Sequence, residues 1–142
     1  MKKNFKEIIM FMEEEVPFNK YLGVRVDELR EGFARLVVPF RKEFIGDKRR
    51  PALHGGIIST LIDTCGGAAT WAHCTKADRI STVDIRVDYL RPGPDDDIIA
   101  ESKVQRMGNR VSVVHTQVYA ASDKETIVAE GRAIYNIRRM RS

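Results

Sequence analysis

The chain has 142 residues, enough for one hydrophobic core and too few to make two domains the expectation. Hydrophobic residues make up 43% and charged residues 31%, which excludes a disordered chain and indicates a soluble folded domain. The formal net charge of +4 gathers at Lys48, Arg49 and Arg50 and at Arg138, Arg139 and Arg141, without zinc-finger spacing or a base-stacking aromatic motif. No nucleic-acid partner is therefore expected, and the clusters are read as surface charge or as contacts for an anion such as a nucleotide phosphate.

In chain order, residues 4–15 place Phe5, Ile8, Ile9, Phe11 and Met12 near helical spacing, which predicts a short amphipathic helix ending before Pro17. Lys6, Glu7 and Glu13, Glu14 and Glu15 interrupt its apolar patch too early for a secretory leader. Residues 18–22 read as a loop or single turn. Residues 24–29 and 34–38 read as a hairpin turning at Glu31-Gly32, and 41–50 as a long polar connection suited to building a site. A helix is predicted over 56–73, with Ile57, Leu61, Ala68 and Trp71 near one face. Within it the pair Gly66-Gly67 predicts close approach by another backbone.

Residues 80–90 alternate, with Ser81, Val83, Ile85, Val87 and Tyr89 on one face and Thr82, Asp84, Arg86 and Asp88 on the other, until Pro92-Gly93-Pro94 stops the strand. Further strands are predicted over 98–106, 111–121 and 126–137, joined by Met107-Gly108-Asn109 and by residues 122–125. The class is α+β: an antiparallel sheet that must curl around the one long central helix available to cover it. Its other face must stay polar or be shielded by a second copy, so oligomerisation is expected. No run reaches membrane-spanning length. Cys65 and Cys74, nine residues apart on one helix, cannot bridge each other, which suits a reduced, cytoplasmic protein.

Over residues 51–75 the chain stops using Lys, Arg and Glu and keeps one carboxylate, Asp63. A carboxylate in such surroundings is costly to bury unless something uses or satisfies it. His54, Gly55 and Gly56 stand just before the helix, where unpaired N–H groups and the helix dipole favour negative charge. That end can polarise a carbonyl and hold an oxyanion. His54 is open to three roles, as ligand contact, base or loop anchor. Asp63 can activate water as a general base or attack an acyl group as a nucleophile, and Thr82 offers a hydroxyl to orient the water. His54, His73, Cys65 and Cys74 lack a zinc spacing. No nucleophile elbow, phosphate-binding loop or dinucleotide fingerprint is present, so neither metal nor cofactor is expected.

Taken together, His54-Gly55-Gly56, Asp63 nine positions after the histidine, and Tyr89-Leu90-Arg91-Pro92 at a strand end resemble the hotdog-fold acyl-CoA thioesterases of the phenylacetate-pathway type. The resemblance runs over nearly the whole chain and implies a curled sheet wrapped around one helix. It implies that the Gly55 N–H polarises the thioester carbonyl, that Asp63 is the general base or nucleophile, and that Thr82 helps place the water. It also implies a homodimer or homotetramer with shared sites and acyl-CoA as substrate. Where many members carry Asn or Gln six residues before the histidine, this chain has Lys48, with Asp47 beside it. Gly56, Asp47, Lys48, Arg91 and the turn Gly108, Asn109 and Arg110 are candidate substrate contacts, the basic ones for CoA phosphates. Two other readings are a hydratase or dehydratase acting on enoyl-CoA and a non-catalytic acyl-CoA-binding or regulatory module.

Overall fold

The computed structural model describes residues 5–140, so Asn4, where the first helix was expected to begin, and Arg141 of the basic tail lie outside the described residues. The order of elements is α1 (Lys6–Met10), a π-helical turn (Phe11–Glu15), α2 (Pro17–Leu22), β1 (Arg25–Arg30), β2 (Phe33–Val38), a 3-10 turn (Lys42–Phe44), β3 (Ile45–Asp47), β4 (Ala52–Leu53), α3 (Gly55–Trp71), β5 (Arg79–Tyr89), β6 (Ile98–Met107), β7 (Val111–Ala120) and β8 (Asp123–Arg138). Six strands form one antiparallel sheet in the order β1-β2-β6-β7-β8-β5, and β3 and β4 form a separate ribbon. The large sheet wraps α3 in the hotdog arrangement.

Wrapping this tight needs small groups where sheet and helix meet. Ala34, Ala100 and Ala129 are fully buried on the sheet beneath Ile58, Leu61, Ile62 and Cys65 of α3. The Cys65 thiol lies 3.4 Å from the carbonyls of both Ala34 and Ala100, and burial pushes its pKa up to about 12. Gly131 of β8 faces Ile62 so closely that any side chain there would collide with the Ile62 methyl. The buried face of α3 is thus centred on Ile58, Leu61, Ile62, Cys65 and Ala69, while Ile57 and Trp71, expected on it, are half-buried at its border. On the far side the sheet stays polar, with Arg35 bridging to Glu101 at 2.9 Å and Arg86, Arg132 and Glu130 exposed or half-buried.

Two connections differ from the sequence reading. Residues 18–22 are helical, because Pro17 takes the first helical position, where its missing N–H costs nothing, and Gly23 closes α2 with φ of +76°. The 41–50 connection carries structure of its own, since β3 pairs with β4 and delivers His54 to the start of α3. At the other end of α3, Asp78 binds the chain together: its carboxylate accepts from the N–H groups of Thr75 and Met140, each at 2.9 Å. Burial alone would raise the Asp78 pKa, but these donors and Arg139 outweigh it and hold the carboxyl below its usual value. Its stabilising effect is then present above the ordinary aspartate range and fades as pH falls through the lowered pKa. Asp78→Asn is expected to lose about 1–3 kcal/mol at neutral pH, with the gap to the parent narrowing in acid, as followed by thermal melts across pH.

Candidate active site

The helix start is built by its own residues. The His54 Nδ1 accepts a hydrogen bond from the Gly56 N–H at 2.8 Å, so the imidazole caps α3. A side chain at position 56 would stand 2.9 Å from that nitrogen and displace the ring, which accounts for glycine there. With the Gly56 donor occupied, no acceptor stands against the Gly55 N–H among the described residues. Tyr89 closes in beside it: the phenol donates to the Gly55 carbonyl at 3.0 Å. A Cβ at position 55 would lie 3.1 Å from the Tyr89 ring.

Asp63 is half-buried on the same helix, and the Thr82 hydroxyl donates to its Oδ1 at 2.6 Å. Strict alternation along β5 would set Thr82 on the same side as Asp84, Arg86 and Asp88. The structure differs because the strand contains a β-bulge: Thr82 pairs with Tyr135 and Asp84 with Ile134, leaving Val83 as the extra residue. Ile85 and Val87 face the core after the bulge, while Thr82 faces α3 before it. Tyr135, the cross-strand partner of Thr82, donates its phenol to the Asp63 backbone carbonyl at 2.7 Å. Burial first, and then the charge of Asp63, pushes the Tyr135 pKa well above the usual tyrosine value, so the phenol stays a donor. Two neighbouring strand positions therefore hold one helical residue by its side chain and by its main chain.

The Asp63–Thr82 pair lies in the wall of a cavity of about 570 Å³. Phe11, Met12 and Val16 line it on one side, Trp71 and Ala68 of α3 on another, and Ile80 on a third. Asn19, Lys76, Asp78 and Arg79 also border it, and such a space suits a largely apolar group that carries some polar atoms. Tyr135 and the Phe11–Trp71 wall are the parts that sequence reasoning missed. Tyr135 carries no motif of its own, and only its register opposite Thr82 marks it.

The other expected contacts lie elsewhere. Asp47 is engaged by its neighbour, accepting from the Arg49 N–H at 3.0 Å and Nε at 3.1 Å, and the Arg49 side chain first of all holds its pKa below the usual value. Lys48 is exposed on the turn between β3 and β4, and Arg91 donates to the Ile127 carbonyl. Neither these residues nor the Gly108, Asn109 and Arg110 turn lines the cavity beside Asp63. Asn109 and Arg110 border a second, basic cleft of about 410 Å³ with Arg138 and Arg139. Arg139 also reaches Asp78 at 3.7 Å, and Asp78 borders the first cavity. Among the described residues no group of His, Cys, Asp and Glu is arranged to hold a metal, and no helix is long and apolar enough to cross a membrane.

Comparison with known proteins agrees with this architecture. The thioesterase superfamily model matches residues 51–127, a span holding His54, Asp63 and Thr82. Over 135 residues the chain is 30% identical to the medium/long-chain acyl-CoA thioesterase YigI of Escherichia coli K12, with 86% of each chain covered. A Shewanella oneidensis protein related to the thioesterase superfamily superposes with a TM-score of 0.84 at 28% identity, covering 93% of this chain and 94% of that one. A thioesterase family protein from Silicibacter pomeroyi shares the fold at a TM-score of 0.86 and 22% identity, covering 96% of this chain and 100% of that one. The chain belongs to the thioesterase superfamily, and with it to the thioester hydrolases.

Proposed function

We infer that the protein hydrolyses acyl-CoA thioesters, with Asp63 as the residue that activates water. The observation that carries this is the Asp63–Thr82 pair, a carboxylate held by one hydroxyl at 2.6 Å in the wall of an apolar cavity. Asp63 takes a proton from water while the water oxygen bonds to the thioester carbon. The carbonyl oxygen becomes an oxyanion on the Gly55 N–H, helped by the helix dipole. When the C–S bond breaks, the CoA sulfur leaves with the electron pair and is protonated, giving free acid and CoA thiol. A thiolate leaves readily, so no cofactor is needed on this reading. Direct attack by Asp63 on the acyl carbon uses the same geometry.

Gly55 and Asp63 stand eight residues apart on α3, about 12 Å along the axis at 1.5 Å per residue. One carbonyl cannot touch both in a single chain, so a second copy must bring its own helix start to the Asp63 of the first. β5 suits that pairing: it is the last strand of the sheet, with Val83 64% and Tyr89 52% exposed. A homodimer, alone or stacked into a tetramer, with sites shared between copies is the assembly we infer. The phenylacetate-pathway type is the subfamily reading, and the basic cleft at Asn109, Arg110, Arg138 and Arg139 is our candidate for the CoA phosphates. Cys65 and Cys74, buried and not joined as a disulfide, suit a reducing cytoplasm.

The test is free-thiol release from short, medium, long-chain and aromatic acyl-CoA esters. Turnover supports hydrolysis; saturable binding without turnover supports a binding module instead. Thr82→Val is expected to lower kcat roughly tenfold, equal to about 1.4 kcal/mol of barrier, and Thr82→Ser to restore it. An unchanged kcat in Thr82→Val would remove the hydroxyl from the mechanism.

A further inference from the structure

The cavity beside Asp63 follows a single face of α3. Asp63, Gly67 and Trp71 recur every four residues along it, and Asp63 and Trp71 stand eight residues, about 12 Å, apart along the helix axis. Toward the far end an aromatic pair stands in the wall: Phe11 and Trp71 meet edge to face, ring centres 5.2 Å apart at 87°, and Lys76, Asp78 and Arg79 also border the cavity. The indole is fixed in place, since its Nε1–H donates to the Thr75 carbonyl at 2.9 Å.

Midway stands Gly67, and the protein's own packing does not require it to be glycine. A Cβ built there meets only the Tyr135 ring, at 3.7 Å, which is ordinary contact. Its neighbour Gly66 is different, because a Cβ there would run into the Tyr135 phenol. Glycine inside a helix is less favourable than alanine, so the fold gains nothing from position 67. The space it leaves belongs to the cavity.

We propose that Gly67 and the Phe11–Trp71 pair gauge the acyl chain, with Gly67 opening its path and the aromatic pair setting its end. An extended chain advances about 3.8 Å per three bonds, so about 12 Å takes roughly nine or ten bonds. Straight, saturated acyl groups of medium length, octanoyl to dodecanoyl, are then the preferred substrates. This inference rests on the hydrolysis reading above.

The experiment measures kcat/KM for butyryl-, octanoyl-, dodecanoyl- and palmitoyl-CoA in the parent, Gly67→Ala, Gly67→Leu and Trp71→Ala, with thermal melts of each. In the parent, kcat/KM is expected to rise to octanoyl or dodecanoyl and fall at palmitoyl. Gly67→Leu is expected to cut octanoyl and dodecanoyl turnover at least tenfold while leaving butyryl within about twofold, and Trp71→Ala to raise the palmitoyl-to-octanoyl ratio about tenfold. Gly67→Ala should melt no lower than the parent, separating the effect from folding. A loss in Gly67→Leu that is equal for every ester would assign the cavity to the invariant pantetheine arm and overturn the gauge. Unchanged profiles in both Gly67→Leu and Trp71→Ala would overturn it as well. A parent that turns over no ester ends the hydrolysis reading and the gauge together, whereas turnover without these shifts ends the gauge alone.

Discussion

Asp63→Asn is expected to lower kcat on acyl-CoA esters by about 10²–10⁴ with little change in KM, the loss that follows removal of a positioned general base. The substitution is well matched to the question. Asparagine keeps an oxygen that can accept from the Thr82 hydroxyl, and the Tyr135 phenol holds the backbone carbonyl, not the side chain. The helix and cavity should therefore persist, and a melt within about 0.5 kcal/mol of the parent would show it. What disappears is the capacity to take a proton or to attack. A rate within a few-fold of the parent would place the chemistry elsewhere. Asp63→Ala should lose as much rate and also release Thr82, which separates the carboxylate from its support.

The second large effect is structural. Gly66→Ala would drive a methyl group into the phenol of Tyr135, a residue that is 1% exposed and whose hydroxyl is bound to the Asp63 carbonyl. Moving the ring aside would break that hydrogen bond. Overpacking of this kind costs about 1–3 kcal/mol or more, beyond the roughly 1 kcal/mol that alanine would otherwise gain in a helix interior. A fall in Tm of several degrees is expected, with activity reduced because Tyr135 and Asp63 move together. Tyr135→Phe in the same chain removes the nearest atom and should recover part of the loss. Equal stability of Gly66→Ala and Gly67→Ala would contradict the packing described here.

The position of the helix start and its carboxylate could be read from composition, since residues 51–75 abandon long charged side chains and retain Asp63 alone. The succession of strands along the chain followed from alternation and turn residues, and His54-Gly55-Gly56 located the start of α3, but a simple meander of the last four strands does not hold, because β5 pairs with β8 and β6 with β2. Three features escaped that reading for physical reasons. Pro17 both ends one helical segment and begins the next, and local pattern favours only the first role. The Gly66-Gly67 pair signalled close approach, but the approaching group is the Tyr135 side chain at one glycine and open cavity at the other. Tyr89 and Tyr135 act through hydrogen bonds across 34 and 72 residues of sequence, distances at which pairing depends on register.

The extra residue at Val83 has an implication for how this protein can change over generations. Length variation is usually tolerated in loops and purged from strands, and substitutions are the ordinary source of new chemistry. Here one codon inside β5 sets the phase between Thr82 and the core-facing Ile85 and Val87. Losing or gaining a single residue at that point would turn Thr82 away from Asp63 without altering the identity of either. In a lineage of such chains, a one-residue deletion in a strand can therefore act as a change of activity, and an alignment that allows gaps only between elements would overlook it.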